Sequence, residues 1–115
     1  RSSAASDVYK RQAQEEQSKI QFQTTLLKAG NEVSNALYQY QMTSEKAISR
    51  EIQVNSARKA AEDTKELFNL GTSTYLEVLS AEQSYLSAQT SEVSDTFDRM
   101  QAVISLYQAL GGGRK

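Results

Sequence analysis

Phe68-Asn69-Leu70-Gly71-Thr72-Ser73-Thr74-Tyr75-Leu76-Glu77-Val78-Leu79-Ser80-Ala81-Glu82 contains the turn on which the fold depends. Gly71 is free to take the left-handed backbone conformation that closes a helix C-terminus, and Thr72 to Thr74 bring hydroxyls that cap the next helix. Thr74 and Glu77 stand at capping-box spacing, each placed to satisfy the other's backbone N–H. The stretch therefore predicts a helix ending near Asn69, a turn over 70–74, and a second helix from Tyr75.

Upstream of the turn, apolar and small residues recur in alternating steps of four and three. The series is Phe22, Leu26, Ala29, Val33, Ala36, Tyr40, Thr43, Ala47, then Val54, Ala57, Ala61, Thr64 and Phe68, interrupted only by Arg50. An average step of about 3.5 residues is the signature of a coiled-coil seam. Leu27, Leu37, Ile48 and Ile52 form a flanking line. Downstream, Tyr75, Leu79, Leu86, Val93, Thr96, Met100, Val103, Tyr107 and Leu110 keep the same period, with Glu82 and Gln89 as polar members. Val78, Ala81, Tyr85 and Ala88 flank them. No segment alternates strictly, and β-branched residues are few, so a strand reading fails. The fold class predicted is all-α: an antiparallel long-helix coiled-coil hairpin, with apolar lines on more than one side of each helix and hence neighbours beyond the hairpin partner.

Composition agrees with long helices. The 115 residues include no Pro, the residue that breaks helix interiors at a cost of about 3 kcal/mol. Glycine occurs at 30, 71 and 111–113 only, which makes these the candidate punctuation points. A net charge of -1 argues against nucleic acid as a partner, since that would require a clustered basic face. Without Cys or His there is no disulfide framework, no thiolate nucleophile and no side chain suited to proton transfer near neutral pH. No Glu-x-x-His pair or Gly-rich phosphate loop occurs, so no enzyme activity, metal or cofactor is expected. No run approaches the roughly 18 to 20 apolar residues of a membrane-spanning helix, and no signal peptide is recognisable. Residues 1–12, Arg-Ser-Ser-Ala-Ala-Ser-Asp-Val-Tyr-Lys-Arg-Gln, lack helix or strand periodicity and begin without Met. They read as a non-native, adapter-like segment, with the true start of the parent protein missing. The expected divisions are 1–12, a first long helix over 13–69, the tip turn 70–74, a second long helix over 75–110, and a Gly-rich tail over 111–115.

The run Phe68 to Glu82 resembles the hairpin tip of TolC-like outer-membrane efflux proteins. Ala29-Gly30-Asn31-Glu32-Val33-Ser34-Asn35-Ala36-Leu37 is similar to the start of that family's descending helix. Leu106-Tyr107-Gln108-Ala109-Leu110-Gly111-Gly112-Gly113 is similar to the close of many members, especially the lipoprotein branch. The resemblance covers nearly everything from Ile20 to Gly113. It implies a segment of an outer-membrane channel of a Gram-negative bacterium, serving a tripartite efflux or secretion system. The full-length protein would be a homotrimer with a β-barrel in the outer membrane and an α-barrel in the periplasm. This chain would be the second hairpin of the α-barrel, part of a passive conduit. A periplasmic adaptor protein would meet its tip, and an inner-membrane pump would act through that adaptor. By the same resemblance Leu70, Gly71, Thr72 and Ser73 form the adaptor-docking tip, and Glu77 and Ser80 occupy pore-constriction positions. Ser73 stands where some members carry a latching arginine, and Phe68 where they carry a hydrogen-bonding tyrosine, so that latch is not expected here.

Plainer readings stand beside these. Gly71 serves as a helix terminator in any such turn. Glu77 near a helix N-terminus acts as a capping or solvated glutamate. Glu92, Asp95 and Asp98 line one helix face, either along a cation-attracting channel or as a solvated face offset by Arg99. The tyrosines Tyr38, Tyr40, Tyr75, Tyr85 and Tyr107 read as packing rather than as a ligand site. The competing function is a soluble coiled-coil scaffold or the hairpin of a periplasmic adaptor, which would show the same seams.

Overall fold

The computed structural model describes residues 2–112. Two helices account for almost all of them, α1 over Ser2–Asn69 and α2 over Tyr75–Ala109, and no strand occurs among the described residues. Helix α1 begins at Ser2, where the sequence reading starts it at residue 13. Ala4, Ala5, Lys10, Arg11 and Gln12 are strong helix formers, and a helix already nucleated propagates through them without an amphipathic pattern. Gly30 does not punctuate the chain: it lies inside α1 with open space around it. A lone glycine costs about 1 kcal/mol, too little to break so long a run of good formers. Of the Gly-rich tail, Gly111 and Gly112 are described, and residues 113–115 lie outside the described residues.

The chain divides into two units, Arg1–Asn35 and Ala36–Lys115. The first is a length of α1 alone. Its side chains are exposed from residue 3 to residue 32, and Ile20, Phe22, Leu26 and Leu27 are among its solvent-facing apolar groups.

The second unit is the antiparallel hairpin. On α1 the inward residues are Ala36, Tyr40, Thr43, Ala47, Arg50, Val54, Ala57, Ala61 and Thr64, all buried or half-buried. This is the series of alternating three- and four-residue steps, with Arg50 included as a full member. On α2 the inward residues are Val78, Ala81, Tyr85, Ala88, Glu92, Asp95, Ala102, Leu106 and Ala109. The α2 seam is therefore the line that begins with the flanking residues Val78, Ala81, Tyr85 and Ala88. The bulkier series faces out: Leu86 is 63% exposed and Val93 70%. Side-chain volume explains the choice. The α1 seam is mostly alanine and threonine, and the short turn holds the helices together. Small residues opposite let the axes approach, whereas leucine or methionine there would wedge them apart. The buried apolar core consists of Ala36, Ala61, Val78, Ala88 and Ala102, with no large side chain fully buried.

Candidate functional site

The tip is built almost entirely from local hydrogen bonds. Gly71 has φ +80, a conformation that costs any residue with a Cβ about 1 kcal/mol or more. It closes α1 in a Schellman arrangement: the Gly71 N–H donates to Phe68 O at 2.9 Å and the Thr72 N–H to Leu67 O at 2.9 Å. Two side chains tighten it. Thr72 Oγ1 donates to Leu67 O at 3.0 Å, and Ser73 Oγ reaches back to Thr64 O at 2.9 Å. The Phe68 and Tyr75 rings meet across the base of the turn with centroids 5.9 Å apart. Helix α2 then opens with both halves of a capping box, Glu77 N to Thr74 Oγ1 and Thr74 N to Glu77 Oε2, each at 3.2 Å.

These bonds separate the candidate residues by what they present. Leu70 is 72% exposed, and Gly71 and Thr72 are also exposed, but the Ser73 hydroxyl is turned inward and half-buried. The Glu77 carboxylate is exposed and engaged by its own N-cap, and Ser80 is exposed one turn further on. Leu76 is 75% exposed and Tyr75 62%, so the tip carries an apolar knob of Leu70, Tyr75 and Leu76. Tyr75 belongs to the apolar period of α2 in the sequence and Leu76 to neither of its apolar lines, and only the structure shows both exposed beside the turn.

Farther along the hairpin, Asp95 is the one buried polar residue among those described, 7% exposed. Arg50 Nε donates to its Oδ2 at 2.6 Å, and Lys46 Nζ lies 3.5 Å from Oδ1. Arg50 also donates to Gln53 Oε1 at 2.7 Å. The reading of Glu92, Asp95 and Asp98 as one face of carboxylates is thus corrected. Asp95 is a seam residue opposite Arg50, Glu92 is half-buried, and Asp98 is exposed. The hydrogen bond from Arg50, aided by the charges of Arg50 and Lys46 and opposed by burial, holds the Asp95 carboxyl below its ordinary value.

The ion pair sits between two shallow grooves that run along the two sides of the seam. One is lined by Gln39, Lys46, Ser49, Asp98, Gln101 and Ser105 among others. The other is lined by residues that include Glu51, Asn55, Arg58, Gln89, Val93 and Thr96. On the side of Val93, Leu79, Leu86, Met100 and Tyr107 follow at seven-residue steps, all exposed. Among the tyrosines, Tyr40 and Tyr85 are half-buried in the seam, whereas Tyr38, Tyr75 and Tyr107 are exposed.

A hairpin whose small residues face its own partner, and whose large apolar residues face out, is shaped for packing against more protein. Comparison with known sequences gives the same direction. The family model described as "Outer membrane efflux protein" matches residues 1–112. The cation efflux system protein CusC of Escherichia coli O157:H7 is 29% identical over 99 residues, 86% of this chain and 22% of that protein. SilC of Salmonella typhimurium, named a probable outer membrane lipoprotein, is 28% identical over the same coverage, 86% and 22%. The pyoverdine export outer membrane protein OpmQ of Pseudomonas putida is 28% identical over 102 residues, 89% of this chain and 22% of that protein. The chain thus spans about a fifth of the length of these relatives (22% of each). No solved structure matches.

Proposed function

The chain belongs to the outer membrane efflux protein family, and on that premise we propose that it is one helical hairpin of the periplasmic α-barrel of an efflux channel. In this reading the full-length protein is a homotrimer anchored by a β-barrel in the outer membrane of a Gram-negative bacterium. The hairpin is a wall of a passive conduit, with no catalytic role and no cofactor. An inner-membrane pump drives export, and a periplasmic adaptor protein joins pump to channel. The names of the relatives include cation efflux and pyoverdine export, so the cargo class is left to the pump.

The observation that carries this proposal is the division of the hairpin's apolar residues. The alanine-rich seam is satisfied within the chain, while Leu86, Val93, Met100 and Tyr107 remain about 60% exposed or more. Exposed apolar rows of this extent mark interfaces. They are what a hairpin needs to pack beside other helices in a closed wall. A free-standing scaffold would require no such surface. The preformed turn suits the tip for docking. Leu70, Gly71 and Thr72 are presented outward beside the apolar Tyr75 and Leu76, and Ser73 holds the turn from within. Glu77 and Ser80, just past the tip, take the constriction.

Cysteine crosslinking in cells tests the docking assignment. In the full-length protein, Leu70→Cys or Thr72→Cys is expected to trap a periplasmic adaptor, whereas Glu62→Cys, on the exposed shaft of α1, is not. If no adaptor can be trapped at any tip position, the docking role is wrong.

A further inference from the structure

The two lines of α2 that share one period lie one residue apart in sequence. Each inward residue is followed by an exposed one: Tyr85 by Leu86, Ala88 by Gln89, Glu92 by Val93 and Asp95 by Thr96. Turning α2 by about 100° about its own axis therefore exchanges the lines and keeps the period. That exchange would bury Leu86 and Val93, and so remove more apolar surface from water than the observed packing does. Side-chain volume opposes it, but helices joined at one end only can splay to admit larger groups. A second determinant is needed, and the seam contains one.

Arg50 belongs to the α1 seam, with its side chain 21% exposed, and the Asp95 side chain opposite is 8% exposed. Arg50 Nε donates to Asp95 Oδ2 at 2.6 Å, and Lys46 Nζ stands 3.5 Å from Oδ1. In the exchanged packing Val93 and Thr96 would face Arg50 in place of Glu92 and Asp95. The guanidinium would keep Gln53, to which it donates at 2.7 Å, and would face no carboxylate. We infer that Arg50 and Asp95 are positioning residues that select which face of α2 packs on α1, and so keep the line of Leu86 and Val93 free for other protein. Removing one member of a buried pair strands a charge, whereas replacing both by apolar residues often leaves stability unchanged or raises it. A pair of this kind therefore contributes to the choice between packings more than to the strength of either. Its place along the hairpin suits that role. It lies about 30 Å from the turn along both helices, where the hydrogen bonds of the tip no longer dictate rotation.

The chain contains no cysteine of its own, so a disulfide between introduced cysteines reports which face is inward. Ala57 and Ala88 lie one heptad closer to the tip than Arg50 and Asp95, and stand opposite each other by the same period. Ala57→Cys is combined with Ala88→Cys, or with Gln89→Cys on the neighbouring line, in the 115-residue chain. Both are oxidised at high dilution, and the intramolecular disulfide is scored by mass. With Arg50 and Asp95 in place, the pairing with position 88 should predominate. With Arg50→Ala and Asp95→Ala together, the ratio of the 88 to the 89 disulfide should fall by about tenfold, while helix content by circular dichroism is retained. Arg50→Lys, which keeps opposite charges in the seam, should preserve most of the ratio. An unchanged ratio in the double-alanine chain overturns the inference, because volume alone would then choose the face. A fall at Arg50→Lys as large as in the double-alanine chain also overturns it, since side-chain shape and not charge would be the selector. So does a double-alanine chain that loses its helix content and forms neither disulfide, because the pair would then hold the helices together rather than orient them. A chain with Arg50 and Asp95 intact that favours position 89, or forms no disulfide, overturns the packing itself.

Discussion

Asp95 and Arg50 occupy seam positions that small residues fill over most of both helices, and each has the other as its main partner. Removing Asp95 leaves a guanidinium in the seam with no carboxylate opposite it. Asp95→Ala is therefore expected to destabilise the chain by roughly 1–3 kcal/mol, toward the lower end because Arg50 keeps its bond to Gln53 and some contact with water. The pair also sets a pH dependence. Its folded carboxyl titrates below the ordinary value of 3.8, so the stabilisation is fully present above that value. It is lost as pH falls from about 4 through the lower, folded value. Urea midpoints followed by helical circular dichroism between pH 7 and pH 2.5 should fall below pH 4, and Asp95→Asn should flatten that part of the curve. Equal acid sensitivity in Asp95→Asn would show that other carboxylates carry it.

At the scale of the element, the alanine seam makes a demand on volume that periodicity does not reveal. Ala88 is 3% exposed, and Ala88→Leu forces a branched side chain between axes spaced for a methyl group. It is expected to cost about 1–3 kcal/mol, while Leu86→Ala, two residues away but outward, changes the chain's melting midpoint little. An Ala88→Leu chain that melts like the parent would mean that the helices are not closely packed. The same contrast explains what was legible beforehand. The α1 seam is legible from Ala36 to Thr64, where one line of residues keeps its step, although Arg50 is a member of it rather than an interruption and Phe22, Leu26, Ala29 and Phe68 at its ends are exposed. The turn is legible because Gly71, Thr74 and Glu77 each have a local role. On α2 two lines share one period. Periodicity favours the more apolar line, whereas the structure selects the smaller, since only that one matches the alanines of α1. In the sequence Asp95 groups with Glu92 and Asp98 because its partner, Arg50, is remote along the chain. Helix α1 begins earlier than periodicity places it, because its first residues are helical by propensity alone and residues 3–12 are exposed, leaving no pattern. The Ser73 bond to Thr64 likewise depends on how the turn folds back, which residue type alone does not specify.

At the scale of the whole molecule, the hairpin leaves most of its apolar surface unused, and that surface defines what the parent protein must supply. Leu86 and Val93 lie one heptad apart on the same flank of α2, 63% and 70% exposed. Replacing both with serine removes nothing buried within this chain, so its helix content and urea midpoint should shift by no more than about 0.5 kcal/mol. In the assembled channel the same residues are expected to lie between neighbouring helices, where burying each is worth about 1.5–3 kcal/mol. The double replacement then weakens every such interface by roughly 3–6 kcal/mol, a large fraction of what holds one helix pair to the next. The full-length double variant, extracted in detergent and measured by light scattering, should shift from trimer toward monomer, and the single variants should fall between. Ser84→Ala with Ser91→Ala, on the opposite flank of α2, provides the control and should leave the trimer intact. Should the leucine-side variant remain fully trimeric while the serine-side variant dissociates, the leucine flank is not the one that neighbouring helices cover.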